Sequence, residues 1–224
     1  PPAGADEFRL KVETFWEKNR SFILLLIAAV IVAILVREGW QFFRASQERA
    51  VQEEYAKIER VEDLPKFAAD HAGHELAGVA WLRVADDAYA KNDFRAATTN
   101  YQKAADALGV VALKSRARLG AAMSQLAAGD RAAGETGLKA LKDDSSALAT
   151  LRAEAAYHLA ALAHEAGRND EARQLVEELS KIEPLGLWSQ RGFVLRAQIE
   201  AAQPAASQPA GSGAPTVEFK PGGE

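Results

Sequence analysis

Apolar residues follow two different patterns along the chain. From Phe22 to Val36 they form an unbroken run, FILLLIAAVIVAILV, that contains no charged residue. Between about 45 and 203 they recur at helical spacing and are separated by short polar breaks. Within 3–203 only Pro65 and Pro184 interrupt a composition dominated by good helix formers. The sequence therefore predicts an all-α chain and argues against a sandwich, a barrel or a doubly wound α/β fold.

The apolar run predicts a transmembrane helix over 22–40. Fifteen residues span about 22 Å as helix, less than the roughly 30 Å of a bilayer core, so the flanking aromatic residues matter. Trp16 and Trp40 would lie about 36 Å apart, and Phe42 and Phe43 follow on the second side. Aromatic belts at both ends of an apolar helix are typical of the membrane interface. The alternative is a buried core helix, which is also apolar all round.

The flanks of the run bear on processing and orientation. No small-x-small cleavage site follows it, because the next residues are Arg37-Glu38-Gly39-Trp40; this favours an uncleaved signal anchor over a removable signal peptide. Four basic residues precede the run and three fall in the next 20 residues, which gives a weak preference for a cytoplasmic segment 1–21.

The remainder of the chain predicts paired helices. Polar breaks that begin at Asn92, Gly129 and Gly167 lie 37 and 38 residues apart, and each is followed by small residues. A period of 34 with a few inserted residues is typical of tetratricopeptide repeats. We place this domain at 45–203, and its predicted parts are repeats 78–111, 115–148 and 153–186 with a closing helix at 187–202. The alternative is a generic helical bundle with accidental spacing.

Side-chain size supports that register. In the first repeat Ala85 and Ala97 occupy the small positions, 8 and 20, where paired helices approach, and Trp81 occupies a large position that we expect to be buried. Position 15, which is Asn92 here and glycine in the other two repeats, is expected to end the first helix in a left-handed turn. The second repeat departs from the pattern, since Gly134 stands where alanine is expected.

Two segments flank the repeats. Before them, a helix over 45–60 is expected to continue from the membrane, and a short helix from Pro65 to Asp70 has Asp63 as its candidate cap. After them, the proline-, glycine- and serine-rich stretch 204–224 predicts a disordered tail.

Composition and motifs exclude most chemistry. The net charge is −4, from 27 basic and 31 acidic residues, which does not suggest nucleic-acid binding. There is no cysteine, and there is no phosphate loop, nucleophile elbow or zinc-protease motif. His71 and His74 are spaced for a shared metal, but they flank Gly73, where the helix that begins at Pro65 is expected to end. We therefore expect no enzyme, no metal or other cofactor and no small-molecule substrate.

Function is instead expected on the concave face that the first helices of stacked hairpins form. In the predicted register the candidate partner-binding residues mix aromatic, aliphatic and charged side chains. They are Leu82, Asp86, Tyr89, Arg116, Met123 and Tyr157. Such a surface suits an extended peptide. For the aliphatic residues Leu82, Leu119 and Leu126 the alternative is packing between repeats.

The order of these features resembles one family, the membrane-anchored ancillary subunit of the bacterial SecYEG translocon (YfgM-like). The resemblance rests on DEFRLKVETFWEKNR before the span, EGWQFFRASQ after it, and ELAGVAWLRVADDAYAKNDFRAATTNYQKAADA in the first repeat. It implies a single-pass inner-membrane protein with a cytoplasmic N-terminus and a periplasmic repeat domain. It also implies protein partners: translocon subunits, periplasmic chaperones and secreted or envelope proteins. Two alternatives remain: a tetratricopeptide coordinator of envelope growth or division, and a cytoplasmic repeat domain tethered to the inner leaflet.

Overall fold

Two compact units make up the chain, and they divide after Arg60. The computed structural model describes residues 4–201, and every regular element in that range is helical. The predicted all-α fold is confirmed. The predicted tail at 204–224 lies outside the described residues.

The first unit contains one long helix, α1 (Gly4–Ala56). Its part from Leu24 to Ala56 is long and apolar enough to cross a membrane, and none of it is buried within the protein. It is therefore not the buried core helix that was the alternative interpretation. Trp16, Trp40, Phe42 and Phe43, the predicted interface residues, are all exposed. The helix passes without a break through the predicted boundary between 40 and 45 and ends at Ala56 rather than at Arg60.

The second unit is a series of antiparallel helix pairs. A 3₁₀ turn (Val61–Asp63) leads into the short α2 (Leu64–Asp70), which packs against α3. The helices that follow are α3 (Glu75–Ala90), α4 (Phe94–Ala107), α5 (Val111–Ala127), α6 (Arg131–Asp143), α7 (Ala149–Glu165), α8 (Asn169–Ile182) and α9 (Leu187–Ala201). Consecutive helices pack on each other throughout, so that α3/α4, α5/α6 and α7/α8 form hairpins 1, 2 and 3. Each hairpin begins three or four residues before the repeat start that the sequence predicted.

The turn inside each hairpin is the feature that the sequence predicted best. Asn92, Gly129 and Gly167 adopt positive φ angles of 61°, 87° and 74°. Only residues that tolerate the left-handed region end a helix in this way, and glycine and asparagine do so most readily. The predicted left-handed turn at position 15 is confirmed in all three hairpins.

Side-chain caps mark the start of two of the three second helices, α4 and α6, whereas α8 has no side-chain cap. The carboxylates of Asp93 and Asp130 accept hydrogen bonds from the backbone N–H groups of Ala96 and Ala133, each at 3.1 Å. Asp63, in contrast, makes no side-chain cap for α2, so that expectation was wrong; its backbone is helical because it belongs to the preceding 3₁₀ turn.

The side chain of Glu75, the first residue of hairpin 1, forms hydrogen bonds with the loop that precedes α5. The Glu75 carboxylate accepts hydrogen bonds from the backbone N–H groups of Gly109, at 2.8 Å, and Val110, at 3.2 Å. Val110 is the N-cap of α5 and supplies no side-chain cap. Glu75 therefore satisfies backbone donors at that loop from more than 30 residues away in sequence.

Alanines line the contact between the helices of hairpin 1. Ala85 and Ala97, the predicted small positions, are fully buried in one cluster with Tyr101 and Leu108. Trp81 differs from its prediction: it is only half-buried, and the Lys103 ammonium lies 4.2 Å from the centre of its ring. The lysine covers the outer face of the indole, which is a favourable cation–π arrangement.

The departure in hairpin 2 has a packing cause. A Cβ atom on Gly134 would lie 2.5 Å from Cγ of Leu126 on the facing helix. Leu126 packs against the core, and the absence of a methyl group at Gly134 leaves room for its side chain. The glycine that departs from the repeat pattern is therefore explained by its close contact with Leu126.

We expect Gly134→Ala to lower the free energy of unfolding by about 1–2 kcal/mol, because overpacking outweighs alanine's better helix propensity. In a Leu126→Ala background the same change should cost less, since the contact with the leucine side chain is gone and only the 3.0 Å approach to the Ala122 carbonyl oxygen remains. Urea unfolding of the detergent-solubilised chain, followed by circular dichroism, gives both values. Equal effects of Gly134→Ala in the two backgrounds would contradict this pairing.

Candidate partner-binding face

A polar network joins hairpins 1 and 2 on the side formed by the first helices. The Tyr101 hydroxyl donates to Oδ1 of Asp86 at 2.7 Å, and the Arg116 guanidinium donates to Oδ2 of the same carboxylate at 2.8 Å. Asp86 lies on α3, Tyr101 on α4 and Arg116 on α5. One carboxylate therefore fixes the relative position of three helices, two of which carry predicted partner-binding residues.

Next to this network lies an open cleft of about 250 Å³. The first helices of all three hairpins contribute to its wall, as expected for the inner face of stacked hairpins. Its lining consists of Tyr89, Tyr101, Arg116, Leu119, Gly120, Met123, Glu154 and His158. We call these residues, together with Asp86, the inner cleft.

Three of the predicted partner-binding residues line the inner cleft directly. Tyr89 is 37% exposed, and the edge of its ring meets Phe94 at a centroid distance of 5.3 Å. Arg116 is exposed, and Met123 is half-buried against the core. Asp86 joins them through its bond to Arg116. The structure thus brings Asp86, Tyr89, Arg116 and Met123 together from two hairpins.

Leu82 does not belong to this accessible set. It is only 4% exposed and packs in the hydrophobic cluster of hairpin 1. Leu119 is also buried, and Leu126 packs against the core. The alternative stated for these aliphatic residues, packing between helices, is what the structure shows. The sequence alone does not show whether a leucine on the first helix of a hairpin contacts a partner or packs between helices. The neighbouring helices determine which side of that first helix is covered.

Tyr157 lies apart from the inner cleft. Its ring packs against Trp188 of α9, with 5.2 Å between centroids, and His158 packs on the same indole at 5.6 Å. The Tyr157 ring is therefore packed against the closing helix. Glu154 and His158, its neighbours on α7, line the cleft instead. Sequence reasoning missed His158 because the contribution of α9 to this side could not be read from the repeat register.

Tyr101 was also missed as a site residue, since its position predicted core packing alone. Its ring is buried, while its hydroxyl reaches Asp86. Burial, and then the hydrogen bond to Asp86, raise the pKa of the Tyr101 phenol well above its ordinary value. A tyrosine 15 residues after an aspartate, on the facing helix of the same hairpin, is the sequence signal that could have revealed this bond.

A larger cleft, of about 840 Å³, lies on the side of the second helices, between α4, α5 and α6. Alanine, glycine and threonine make up much of its wall. Its charged side chains are Asp106, Lys114 and Arg118, and Arg118 is engaged by Asp144 and by the Ala140 carbonyl. The hydroxyl of Ser146, with Arg118, lowers the pKa of the Asp144 carboxyl. This cleft therefore combines a wall of small residues with three charged side chains, and none of the predicted partner-binding residues lines it.

The histidines considered for a metal site have structural roles. Nδ1 of His74 accepts the backbone N–H of Leu76 at 3.1 Å and caps α3. The His71 ring lies 4.5 Å from that of Phe67. Among the residues that the structure describes, no group of three or more potential ligands is placed to hold a metal ion.

Residues 13–119 match a family described as a tetratricopeptide repeat-like domain. The chain carries a tetratricopeptide repeat-like domain. The match begins before the apolar run and ends within α5, and hairpin 3 lies beyond it. Hairpins 2 and 3 of this domain nevertheless share with hairpin 1 the left-handed turn and the buried small residues at position 8. No curated protein and no solved structure matches the chain.

The raised pKa of Tyr101 predicts the direction of a pH effect. Above about pH 10 an unfolded tyrosine loses its proton while the folded Tyr101 keeps it, so stability should fall as pH rises toward the folded pKa. The melting temperature of the wild type should therefore drop more steeply above pH 10 than that of Tyr101→Phe. Asp86→Asn should lie between them. Parallel curves for wild type and Tyr101→Phe would contradict this assignment.

Proposed function

We propose that this protein is a non-enzymatic, membrane-anchored scaffold that binds extended segments of other proteins in its inner cleft. The observation that carries the proposal is the convergence of Tyr89, Arg116 and Met123 on one open cleft. Tetratricopeptide-like domains mediate interactions between proteins, which agrees with this use of the face. Aromatic residues, methionine and arginine are also the residue types enriched at interfaces.

Each group has a distinct part in the proposed binding. Tyr89 and Met123 offer polarizable contact that accepts many side chains, and methionine adapts to irregular surfaces. Asp86 and Glu154 accept hydrogen bonds from peptide N–H groups or basic side chains. Arg116 donates to carbonyl or carboxylate groups, with its orientation held by Asp86. Because each segment is held by shape and a few charges, the cleft favours extended chains of varied sequence.

We further propose that α1 is an uncleaved anchor in the inner membrane, with a cytoplasmic N-terminus and the repeat domain in the periplasm. The length and composition of α1 support a span, and the family match includes the apolar run together with the first hairpin. The resemblance to the SecYEG ancillary subunit supports a position beside the translocon. There the inner cleft would hold emerging secreted proteins and pass them to periplasmic folding factors.

The double variant Tyr89→Ala/Met123→Ala tests the cleft. We expect it to fold normally, because neither residue is fully buried, and to lose most crosslinking to the translocon and its clients in native membranes. Val110→Ala, an exposed valine outside the cleft, is the matched control. Full crosslinking by the double variant, with wild-type melting behaviour, would exclude the inner cleft as the binding site.

Orientation can be tested with one thiol, since the chain has no cysteine. We expect Ser207→Cys in spheroplasts to react with a membrane-impermeant maleimide as fast as it does after lysis. Asp6→Cys, on the proposed cytoplasmic side, should react only after lysis. The opposite pattern would place the repeat domain in the cytoplasm.

A further inference from the structure

The sequence that follows α9 contains one short section whose chemistry differs from the rest. Within 204–224 most residues are proline, alanine, glycine or serine, and the apolar residues larger than proline are Val217 and Phe219. They alternate with polar residues in the run TVEFK, and a proline stands on each side of that run. We call residues 216–220 the TVEFK segment. Large apolar side chains and charges of both signs are therefore brought together at this one point in the sequence.

The TVEFK segment has the residue pattern of an amphipathic extended chain. Side chains at i and i+2 point to the same side of an extended backbone, so Val217 and Phe219 would share one side and the polar residues the other. The proline that follows Lys220 disfavours a helical conformation of that lysine. Five residues between two prolines are also too few for a stable helix. The local sequence therefore favours the extended conformation for which the inner cleft is proposed.

The inner cleft presents groups that complement this pattern. Tyr89 and Met123 supply apolar contact. Arg116 is exposed and gives one N–H group to Asp86, and because a guanidinium has five such donors, others remain for a second carboxylate. The Glu154 carboxylate makes a long contact, 3.8 Å, with a ring nitrogen of the histidine one turn further along α7. A ligand with two apolar side chains, one carboxylate and one ammonium group matches this set.

The distance from α9 to the inner cleft is within reach of the intervening residues. His158 lines the cleft, and its ring lies 5.6 Å from that of Trp188, near the start of α9. From Trp188 to Ala201, where α9 ends, the helix rises about 20 Å, so the path from Ala201 to the cleft is about 30 Å. Residues 202–215 reach about 46 Å when fully extended and about 20 Å on average as a flexible chain. The required span lies between these two lengths.

Attachment to the domain allows a weak ligand to occupy the cleft. A linker whose average length is similar to the distance that it spans gives an effective concentration of about 1 mM. A segment that binds with a dissociation constant of about 0.1 mM would then occupy the cleft about nine-tenths of the time. A segment of another protein must compete with it, so the cleft would retain only clients that bind more tightly or are present at high local concentration.

We infer that the TVEFK segment binds in the inner cleft of its own chain and is displaced when a client segment binds there. Its two apolar side chains pack on the apolar groups of the cleft, and its charges pair with groups of opposite sign. The two charge pairs are Glu218 with Arg116 and Lys220 with Glu154. This inference rests on the proposed function of the inner cleft, and it adds a competing ligand that the chain itself carries.

The first test locates the segment by crosslinking. A photoreactive benzoylphenylalanine replaces Phe219 in the detergent-solubilised full chain. We expect an adduct within one chain that maps to the inner cleft and whose yield does not change on dilution. It should be lost with Tyr89→Ala/Met123→Ala and should not form when the photoreactive residue replaces Ala206 instead. An adduct that maps to α9, an adduct between two chains, or no adduct overturns the inference.

The second test measures competition. A fluorescent peptide with the sequence of residues 214–222, APTVEFKPG, is titrated with the solubilised full chain, and its anisotropy is followed. We expect Val217→Ser/Phe219→Ser to bind the peptide about tenfold more tightly than the wild type, because the tethered segment no longer competes. The matched control Ala205→Ser/Ala206→Ser should bind it as the wild type does. A peptide of the same composition in which glutamate and phenylalanine are exchanged, APTVFEKPG, should bind to none of these chains.

Equal affinity of the first peptide for the wild type and for Val217→Ser/Phe219→Ser overturns the inference, and so does a lack of binding to both. Equal binding of the exchanged peptide, or binding that is unchanged when Tyr89→Ala/Met123→Ala is added, overturns it as well. The proposed function is judged separately, because client crosslinking in native membranes is compared between the wild type and Tyr89→Ala/Met123→Ala. Retained client crosslinking in the wild type together with equal peptide affinities would reject only the competing segment.

Discussion

The second unit depends on the close approach of paired helices at small side chains. Where Ala85, Ala122 and Ala160 stand, each facing helix comes near enough to bury them completely. At Gly134 the distance is so short that even a methyl group would clash with Leu126. Because no hairpin buries its own surface, the next hairpin must stack against it, and the contacts therefore fix both the pairing and the direction in which the solenoid grows.

Polar contacts then set the relation between successive hairpins. Asp86 and Arg116 join the first helices of hairpins 1 and 2, while Lys142 and Glu178 join the second helices of hairpins 2 and 3. These pairs are partly exposed, so each contributes little to stability by itself. These pairs instead orient side chains and helices, since Asp86 also holds Arg116 and Tyr101 in place at the wall of the inner cleft. The side chains available to a partner are thus oriented by contacts between hairpins.

Local chemistry made the fold predictable from the sequence. Asn92, Gly129 and Gly167 predict turns because few residues accept a left-handed conformation, and the small residues at positions 8 and 20 predict close pairing. Boundaries moved by three or four residues, since helix starts depend on caps and loops rather than on the repeat pattern. The inner cleft was predictable only in part. The burial of Leu82 and the packing of Tyr157 against Trp188 depend on neighbouring helices. The sequence of a single repeat does not encode how those helices pack.

The bond between Glu75 and the loop before α5 has a consequence for how this domain folds. Val110, the N-cap of α5, supplies no side-chain cap, and the carboxylate that accepts its N–H lies 35 residues earlier in sequence. That carboxylate reaches the loop only when α3 and α4 are already paired. The start of the second hairpin is therefore stabilised by completion of the first, which favours folding that nucleates at hairpin 1 and propagates toward α9. Since most contacts in a solenoid are local, such an order adds little loop-closure entropy and is compatible with fast folding as the chain emerges.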